Sequence, residues 1–450
     1  MDQTDAVILG SGQGGVPLAV DLAGDGKRVT LFERGRLGGS CVNYGCTPSK
    51  AFLGAAHAAG RARAAAPLGI HADIRVDFPV VMARVRSVRD SFTSSVEKRL
   101  TRAGVSIVHA SAAFTGERTI SANGAAVHGA TVVINTGTSA AVPPIPGLAE
   151  TPFLTNENFF DLHELPRRTL VLGAGYVGLE LGQGLARLGS SVHIIDHNPR
   201  VLAREEADVS NVLQTSLERD GIQLHLGRDV THVAYEGGVF TLTLDDGNEL
   251  LGEALLVAVG RSPNTGALNA PAGGIALDKR GMVAIDERFH TSAAGVYAIA
   301  DVAGQPAFTH VSWEDYRRLK TILGGGDRRR DDRVLAYAVF TEPQVGRVGM
   351  TIEDARRSGL DARSVELPVT HIARAIEWGH DLGFYRLVVE AKTDRILGAT
   401  LVGYEAAEIV HVILAHMEAR STWRILERSV HIHPTYCEAL PSLARLLLET

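Results

Sequence analysis

The chain has few cysteines, no surplus of positive charge and no long apolar run. Only 3 of its 450 residues are cysteines, which argues against a secreted disulfide scaffold and predicts a reducing, cytoplasmic setting. The formal net charge is −6, whereas a nucleic-acid or anionic-membrane partner usually shows as a basic surplus. No apolar run reaches about 18 residues, and an acidic N-terminus leads straight into a predicted strand, so we expect neither a membrane span nor a signal peptide.

What is present is the composition of an ordinary globular protein. Hydrophobic residues make up 45% of the chain and charged residues 21%. A core of the corresponding size needs no disulfide staple. At roughly 150 residues per domain, the length suggests about three domains.

A unit of strand, glycine turn, helix and strand occurs twice, far apart in the chain. The first copy has GSGQGG at 10–15 and ends its second strand at Glu33, while the second has GAGYVG at 173–178 and ends at Asp196. In both copies the acid lies 18 residues after the last glycine. One glycine motif would be a weak signal, but two copies with an acid in register indicate two dinucleotide-binding units.

The chemistry of a bound dinucleotide explains these residue types. The first glycine allows a tight turn, the second lets the backbone approach a pyrophosphate at the helix N-terminus, and the third allows close helix–strand contact. The acid accepts hydrogen bonds from a ribose diol. One unit could hold a bound flavin and the other a diffusible hydride donor. The residues assigned to the two units are Gly10, Gly12, Gly15 and Glu33, and Gly173, Gly175, Gly178 and Asp196.

Cys41 and Cys46 follow Glu33 closely and therefore lie near the first nucleotide site. Five residues of regular helix rise about 7.5 Å, whereas a disulfide requires Cα atoms within about 6.8 Å. The local helix must therefore be distorted, which Gly45 makes easy. A helix N-terminus or Lys50 would lower a thiol pKa. Two buried structural cysteines are the alternative, and zinc is disfavoured because no second ligand pair lies nearby, so no metal site is expected.

The segment GGSCVNYGCTPSK at 38–50 resembles the redox-active signature of the class I pyridine nucleotide-disulfide oxidoreductases. That family includes glutathione reductase, dihydrolipoamide dehydrogenase and mercuric reductase. The likeness continues through a second flavin motif at 291–301 and a C-terminal signature, HIHPTYCE, at 431–438. It covers nearly the whole chain in order, and it implies FAD and NAD(P)H as cofactors and a homodimer.

The resemblance also implies how the chain is divided. We expect an α/β fold with two Rossmann-like domains, for FAD and NAD(P), and a C-terminal α+β dimerisation domain with paired strands at 385–391 and 396–403 and a helix at 406–420. The expected segments are 1–147 and 265–334 for the two parts of the FAD-binding domain, 148–264 for the NAD(P)-binding domain and 335–450 for the dimerisation domain.

By resemblance, the catalytic residues are the two thiols and a histidine. Cys46 would be the thiolate next to the flavin, and Cys41 would exchange with the substrate. His433, oriented by Glu438, would be the acid–base partner, in the active site of the partner subunit; thiol exchange requires such a base poised near neutral pH. Cys437 is expected to be a small packing residue, with an accessory thiol as the alternative.

Further residues are assigned to the cofactors by the same resemblance. Tyr176 would gate the nicotinamide pocket, Glu180 would pair with Lys50 beside the flavin ring, and Asp301 would bind the ribityl chain. Ala300 stands where the family usually has glycine and is expected to crowd the backbone slightly. The remaining cofactor-binding residues are Ser40, Thr136, Gly137, Gly260 and Arg261.

The sequence also bears on the electron donor and on the substrate. The carboxylate of Asp196 would repel a 2′-phosphate and favours NADH over NADPH, although Arg200 and Arg204 could hold that phosphate.

The segment 139–148 resembles mercuric reductase, and 308–317 resembles bacterial reductases that protect against reactive chlorine species and hypothiocyanous acid. We expect a small disulfide or oxidant as substrate, with mercuric ion, lipoamide or hypothiocyanous acid open, and a redox-sensing flavoprotein as the non-enzymatic alternative.

Overall fold

The N-terminal third of the chain builds a mostly parallel sheet with helices packed on it. The protein is described here from a computed structural model, which covers residues 2–449. The strands are β1 (Asp2–Leu9), β2 (Val29–Glu33), β3 (Ser106–His109), β4 (Ala113–Gly116), β5 (Thr119–Ala122), β6 (Ala125–Ile134) and β7 (Thr138–Ala140). The helices are α1 (Gly15–Gly24), α2 (Gly39–Asn43), α3 (Cys46–Arg63) and α4 (Phe78–Arg102). Strands β1 to β6 run side by side in the order β3-β2-β1-β6-β5-β4.

A second parallel sheet follows, with a small antiparallel sheet attached to it. Its strands are β8 (Arg168–Leu172), β9 (Ser191–Asp196), β10 (Gln223–Leu226), β11 (Val230–Glu236), β12 (Val239–Leu244), β13 (Glu249–Gly252) and β14 (Ala254–Val257). The helices are α5 (Tyr176–Leu188) and α6 (Ala207–Arg219). The parallel order is β10-β9-β8-β14, and β11, β12 and β13 form the antiparallel sheet.

The chain then returns to the first sheet. Strand β15 (Arg261–Pro263) pairs antiparallel with β7, and β16 (Val296–Ala298) pairs parallel with β6 as the seventh strand of the N-terminal sheet. Helix α7 (Thr309–Leu323) follows. This return matches an N-terminal domain made of two separate segments, while the boundaries expected at 147, 264 and 334 remain predictions.

The C-terminal part is a five-stranded antiparallel sheet with helices. Its strands are β17 (Ala336–Val339), β18 (Gln344–Gly349), β19 (Ala362–Pro368), β20 (Phe384–Glu390) and β21 (Ile396–Gly403), in the order β17-β18-β21-β20-β19. The helices are α8 (Ile352–Arg357), α9 (Ala373–Glu377), α10 (Ala406–Glu418), α11 (Trp423–Arg428) and α12 (Ala439–Arg445). Short 3-10 turns occur at Ala66–Leu68, Leu148–Glu150, Phe159–Asp161, Ala270–Gly273, Asp301–Ala303, Val369–His371 and Leu446–Leu448.

The predicted fold class is confirmed, with small differences at the ends of elements. Strand β21 has the predicted limits, and β20 begins and ends one residue earlier than expected. Helix α10 ends at Glu418 instead of Arg420, because Arg420 has a left-handed φ of +52° that cannot continue a helix.

The two faces of β1 show why the parallel strands are so apolar. Val7 and Ile8 are both fully buried, but they belong to different clusters, one on each face of the sheet. Successive side chains of a strand point to opposite faces, so a sheet covered on both faces needs consecutive apolar residues. This burial fixes the carboxyl end of β1, where the first glycine turn begins.

Candidate active site

Both glycine turns lie between a strand end and a helix start. Gly10 follows β1 with φ of +103°, and a Cβ atom on it would lie 2.3 Å from the carbonyl oxygen of Asn135. A Cβ atom on Gly15, the first residue of α1, would lie 2.2 Å from the carbonyl oxygen of Gly10. The second copy repeats this geometry: Gly173 has φ of +110°, and a Cβ atom on Gly178 would lie 2.0 Å from the carbonyl oxygen of Gly173. Only glycine fits these four positions.

The middle glycine of each turn is different, because the protein's own packing does not require it. A Cβ atom on Gly175 would meet nothing within 4 Å, and on Gly12 it would meet only the side-chain amide of Asn135 at 3.2 Å. Bare backbone at these two points is what the approach of a pyrophosphate needs, at the N-termini of α5 and α1. The turns therefore fit two dinucleotides.

The acid of each unit is bound to its own glycine turn. The Oε2 atom of Glu33 accepts hydrogen bonds from the backbone nitrogen of Ser11 at 2.9 Å and from its hydroxyl at 2.6 Å. The Oδ2 atom of Asp196 accepts one from the backbone nitrogen of Ala174 at 2.6 Å, and its Oδ1 accepts one from the backbone nitrogen of Asn198 at 2.8 Å. Glu33 also accepts a hydrogen bond from the backbone nitrogen of Gly35, and Asp196 accepts one from the side-chain amide of Asn198. A carboxylate has about four acceptor positions, so each acid keeps about one for a ribose hydroxyl.

The helix break expected at the dithiol is present. Helix α2 ends at Asn43 and α3 begins at Cys46, and residues 44–45 between them are not helical. Both cysteines are free thiols in this structure, and the interruption brings them close enough for each to shift the pKa of the other. Cys46 is also the first residue of α3, where the helix dipole favours a negative charge.

The two thiols have opposite pKa shifts. A hydrogen bond from the Cys41 thiol lowers the pKa of Cys46. The Thr309 hydroxyl, 3.1 Å from the Cys46 sulfur, and the charge of Lys50 act in the same direction. The hydrogen bond with Cys46, together with burial, raises the pKa of Cys41. The arrangement therefore makes Cys46 the thiolate and Cys41 the protonated donor.

Sequence reasoning missed Thr309 as a residue of the site. It is the first residue of α7 and lies 263 positions after Cys46. The sequence of segment 308–317 indicates only a resemblance to bacterial reductases that protect against reactive chlorine species. No local pattern indicates that its threonine touches a thiol, because only the return of the chain to the first sheet brings the two together.

An ion pair joins the helix of the dithiol to the helix of the second glycine turn. The Nζ atom of Lys50 lies 2.7 Å from Oε2 of Glu180, whose side chain is buried. The other carboxylate oxygen of Glu180 accepts a hydrogen bond from the backbone nitrogen of Phe340 at 2.9 Å, and Lys50 lies over the Phe340 ring, 4.4 Å from its centroid. The pair thus ties α3, α5 and the C-terminal sheet together beside the thiols.

One cleft of about 810 Å³ connects Glu33 with both thiols. This volume lies in the range of about 300–1,000 Å³ typical of ligand sites. The hydroxyl of Thr136, which lines the cleft, is the buried polar atom there without a hydrogen-bond partner among the described residues. The expected residues that line the cleft are Gly10, Gly12, Glu33, Ser40, Cys41, Cys46, Lys50, Thr136, Gly137, Tyr176, Glu180, Arg261 and Asp301. Those outside it are Gly15, Gly173, Gly175, Gly178, Asp196, Gly260, His433 and Glu438.

Asp301 and Arg261 are linked through Thr138. The Thr138 hydroxyl donates to Oδ2 of Asp301 at 2.9 Å, and Nε of Arg261 donates to the same hydroxyl at 2.7 Å. Burial raises the pKa of Asp301, and the charge of Arg261 opposes this. The arrangement keeps a carboxyl group on the wall of the cleft, as binding of a hydroxylated chain would need.

Ala300, next to Asp301, is strained more than the expected slight crowding. Its φ of +65° and ψ of −156° lie in a region that is essentially restricted to glycine. Its backbone nitrogen donates to Oδ2 of the fully buried Asp315 at 2.9 Å, and Asp315 is paired with Arg333. This hydrogen bond and ion pair hold the strained backbone in place.

His433 and Glu438 meet each other but not the thiols. The Nδ1 atom of His433 lies 2.8 Å from Oε2 of Glu438, and the His433 side chain is 72% exposed. Val430 and Ile432, which precede it, are 97% and 79% exposed. The structure thus brings the histidine and its acid together on the surface, away from the dithiol of the same chain.

Comparison with known proteins places these features in one family. Residues 4–315 match the model of the "Pyridine nucleotide-disulphide oxidoreductase" family, and residues 335–444 match its dimerisation domain. The "Probable pyridine nucleotide-disulfide oxidoreductase RclA" of Escherichia coli is 33% identical over 99% of this chain and 100% of its own length. A dihydrolipoyl dehydrogenase of Haloferax volcanii is also 33% identical, over 98% of this chain and 95% of its own.

A solved structure agrees with the sequence matches. The "Cu(II) complex of HOCl-induced flavoprotein disulfide reductase RclA from Escherichia coli" superposes with a TM-score of 0.91, at 33% identity, over 99% of this chain and 100% of that one. Among residues 2–449, no helix has the length and apolar character needed to cross a membrane. The family implies FAD and a nicotinamide nucleotide as cofactors. The chain therefore belongs to the pyridine nucleotide-disulphide oxidoreductases and is a flavoprotein oxidoreductase.

Proposed function

We propose that this enzyme uses NADH and FAD to reduce the Cys41–Cys46 pair, which in turn reduces a small disulfide or oxidant. The observation that carries the proposal is the cleft shared by Glu33, both thiols and the Thr136 hydroxyl, which has no hydrogen-bond partner among residues 2–449. Glu33 would hold the adenosine ribose of FAD, and Asp301 its ribityl chain. When bound, FAD would supply the redox chemistry that links the nicotinamide to the dithiol, because a flavin can take up a hydride and give an electron pair to sulfur.

The thiols then have different tasks. Cys46 keeps its negative charge because Cys41 and Thr309 donate hydrogen bonds to it. Cys41 attacks the oxidised substrate after losing its proton to a base, and Cys46 then attacks Cys41 to re-form the disulfide and release the reduced product. Two electrons leave the thiol pair, and the substrate gains them together with protons. Since the pKa of Cys41 is raised, this sequence requires a base.

We assign that base to His433 of a second copy of the chain. His433 is already oriented by Glu438, yet it lies outside the cleft of its own chain. The exposed side chains of Val430 and Ile432 beside it favour burial in a subunit contact. The dimerisation-domain match at 335–444 agrees with a homodimer. Sedimentation of the enzyme at micromolar concentration tests this, and a monomer with full activity would rule it out.

NADH is the proposed donor because of Asp196. Its carboxylate lies at the end of β9 beside the second glycine turn, where it would read the ribose 2′-hydroxyl and would repel a 2′-phosphate. Arg200 and Arg204, on the loop that follows, form no ion pair within the described part of the chain and are the basis of the NADPH alternative. Comparing kcat/KM for NADH and NADPH decides between them, and a preference for NADPH would overturn the assignment.

The proposed substrates are small oxidants of the reactive-chlorine type, with hypothiocyanous acid as the first candidate. The likeness to the HOCl-induced reductase over the whole chain supports this class. A second candidate is dihydrolipoamide oxidation, favoured by the equal identity to the Haloferax volcanii dehydrogenase. The two candidate reactions run in opposite directions with respect to the nucleotide. Reduction of an oxidant consumes NADH, whereas oxidation of dihydrolipoamide forms NADH from NAD⁺.

One panel tests the function. NADH oxidation is measured with hypothiocyanous acid, dithionitrobenzoate, lipoamide and mercuric ion, and the reverse reaction with dihydrolipoamide. Cys41→Ser is expected to abolish turnover of disulfides while bound flavin is still reduced by NADH. Cys437, which is expected to be a packing residue, gives the matched control Cys437→Ser, and this variant should keep activity. Native turnover by Cys41→Ser would refute the thiol assignment, and no turnover of the wild type with any oxidant would favour a redox sensor.

A further inference from the structure

Tyr337 touches two parts of the molecule that are far apart in sequence. It lies on β17, and its ring lines the cleft. That ring stacks on Phe308 with centroids 5.0 Å apart and planes 9° apart. Phe308 in turn lies 6.2 Å, ring to ring, from Tyr176, the expected nicotinamide gate. One face of Tyr337 thus supports the aromatic residues at the thiol end of the cleft.

The hydroxyl of Tyr337 points the other way and leaves the cleft. It donates a 2.6 Å hydrogen bond to Oε1 of Glu205. Nη1 of Arg347 lies 3.2 Å from the other oxygen of the same carboxylate, and the side chains of Glu205 and Arg347 are both buried. A buried carboxylate in such a pair is strongly held, because losing either partner leaves a charge without compensation.

Glu205 belongs to the loop 197–206, which begins directly after Asp196 and contains Arg200 and Arg204. Hydrogen bonds hold the loop at several points, including Val201 with Ser210 and Asn198 with Gly227, and two further points tie it to the glycine turn and to the C-terminal sheet. The backbone nitrogen of Leu202 donates to the carbonyl oxygen of Ala174, inside the second glycine turn, at 3.0 Å. The second point is Glu205, held by the C-terminal sheet.

Glu206, the next residue, adds further contacts between the loop and the C-terminal sheet. Its carboxylate accepts hydrogen bonds from Nη1 of Arg347 at 3.3 Å and from the hydroxyl of Thr400 at 3.1 Å, and it pairs with Nη1 of Arg386 at 3.0 Å. The residues that would read the adenosine ribose are therefore positioned in part by a domain that carries neither glycine turn.

We propose that Tyr337 is a positioning residue for the nicotinamide nucleotide, holding the loop 197–206 through Glu205 and supporting Tyr176 through Phe308. The proposal rests on the function proposed above. It extends that function by making one side chain responsible for the placement of both ends of the nucleotide. The C-terminal sheet then contributes to nucleotide affinity although no residue on it is assigned to nucleotide binding.

Tyr337→Phe isolates the hydroxyl, because phenylalanine keeps the ring stack on Phe308. The loss of one hydrogen bond to Glu205 is expected to raise the KM for NADH about three- to tenfold. The values of kcat and of KM for the oxidant should stay unchanged, since the thiols and their hydrogen bonds are not touched. Glu205→Gln should raise the same KM, and the double variant should raise it by less than the product of the two single effects.

The matched control is Tyr235→Phe, on β11 of the same nucleotide-binding region but outside the cleft. Its KM for NADH should equal that of the wild type. An unchanged KM in Tyr337→Phe, or an equal loss of kcat with every substrate together with a lower melting temperature, would overturn the positioning role. Calorimetric titration with NAD⁺ keeps the two proposals separate. If the wild type shows no turnover, the proposed function fails, while the NAD⁺ affinities of wild type and Tyr337→Phe still decide the role of Tyr337.

Discussion

The sulfur atom of Cys46 lies 3.1 Å from the hydroxyl oxygen of Thr309, a contact between the first residues of two helices. The sulfur also receives a hydrogen bond from Cys41, and the charge of Lys50 lies near it. All three interactions favour the thiolate over the thiol. The reactivity of this centre therefore depends on donors from separate segments of the chain.

Removing the Thr309 hydroxyl should make the Cys46 thiolate harder to form. Thr309→Val keeps the shape of the side chain and is expected to raise the pKa of Cys46 by about one pH unit. The measurement is the pH dependence of alkylation of Cys46 by iodoacetamide in the reduced enzyme, followed by peptide mass mapping. Thr309→Ser keeps a hydroxyl and should stay close to the wild type. Identical pH profiles for the valine and wild-type enzymes would show that the contact has no electrostatic role.

The Lys50–Glu180 pair predicts two shifts of opposite sign. The charge of Lys50 lowers the pKa of Cys46, and the charge of Glu180 raises it. In the same alkylation assay, Lys50→Met should therefore move the Cys46 profile to higher pH and Glu180→Gln should move it to lower pH. Lys27→Met, an exposed lysine on another surface, is the control. Shifts of the same sign in both variants would mean that disruption of packing, and not charge, is responsible.

Ala300→Gly should stabilise the enzyme. Alanine at φ +65° and ψ −156° is strained by about 1–3 kcal/mol, and the greater freedom of glycine in the unfolded chain offsets about 0.5–1 kcal/mol of the gain. We expect the apparent Tm in scanning calorimetry to rise by about 1–3 °C. Ala303→Gly is the matched control, because Ala303 is also buried but does not have a positive φ, and it should lower the Tm. A lower Tm for Ala300→Gly would contradict the assigned strain.

His193 and His225 predict a loss of stability in acid. Nδ1 of His193 lies 3.1 Å from Nε2 of His225, and burial lowers the pKa of both. The folded state disfavours their protonated forms, whereas unfolded histidines take up protons near pH 6.5. The free energy of unfolding is therefore not reduced by this pair above pH 6.5, and it declines as the pH falls below about 6.5.

The test compares the apparent Tm at about pH 8 and about pH 5.5. Between these two pH values, the apparent Tm of the wild type should fall by about 1–3 °C more than that of His225→Asn, because asparagine has no ring to protonate. His71→Asn, at an exposed position, is the control and should follow the wild type. Equal losses in all three proteins would show that the histidine pair does not contribute to the acid sensitivity.

Local sequence predicted the features that depend on short-range chemistry. The glycine turns were predictable because a tight turn after a buried strand, and a helix packed against it, exclude any Cβ atom at Gly10 and Gly15. The break between α2 and α3 was predictable because two thiols five residues apart cannot meet on a regular helix. The glycines of each motif and the two thiols lie within a few residues of one another, so their spacing carries this information, although the carbonyl oxygen that a Cβ atom on Gly10 would meet belongs to the distant Asn135.

The tertiary structure alone decided which distant groups reach these elements. Thr309 meets Cys46 only because the chain returns to the first sheet after the second, and Tyr337 meets Glu205 only because the C-terminal sheet packs on the loop after β9. His433 and its acid Glu438 were expected, by resemblance, in the active site of the partner subunit, and their position away from the thiols of their own chain depends on where the C-terminal segment lies. Sequence spacing determines chemistry within a turn or two of helix, whereas the packing of sheets and helices selects the partners beyond that distance.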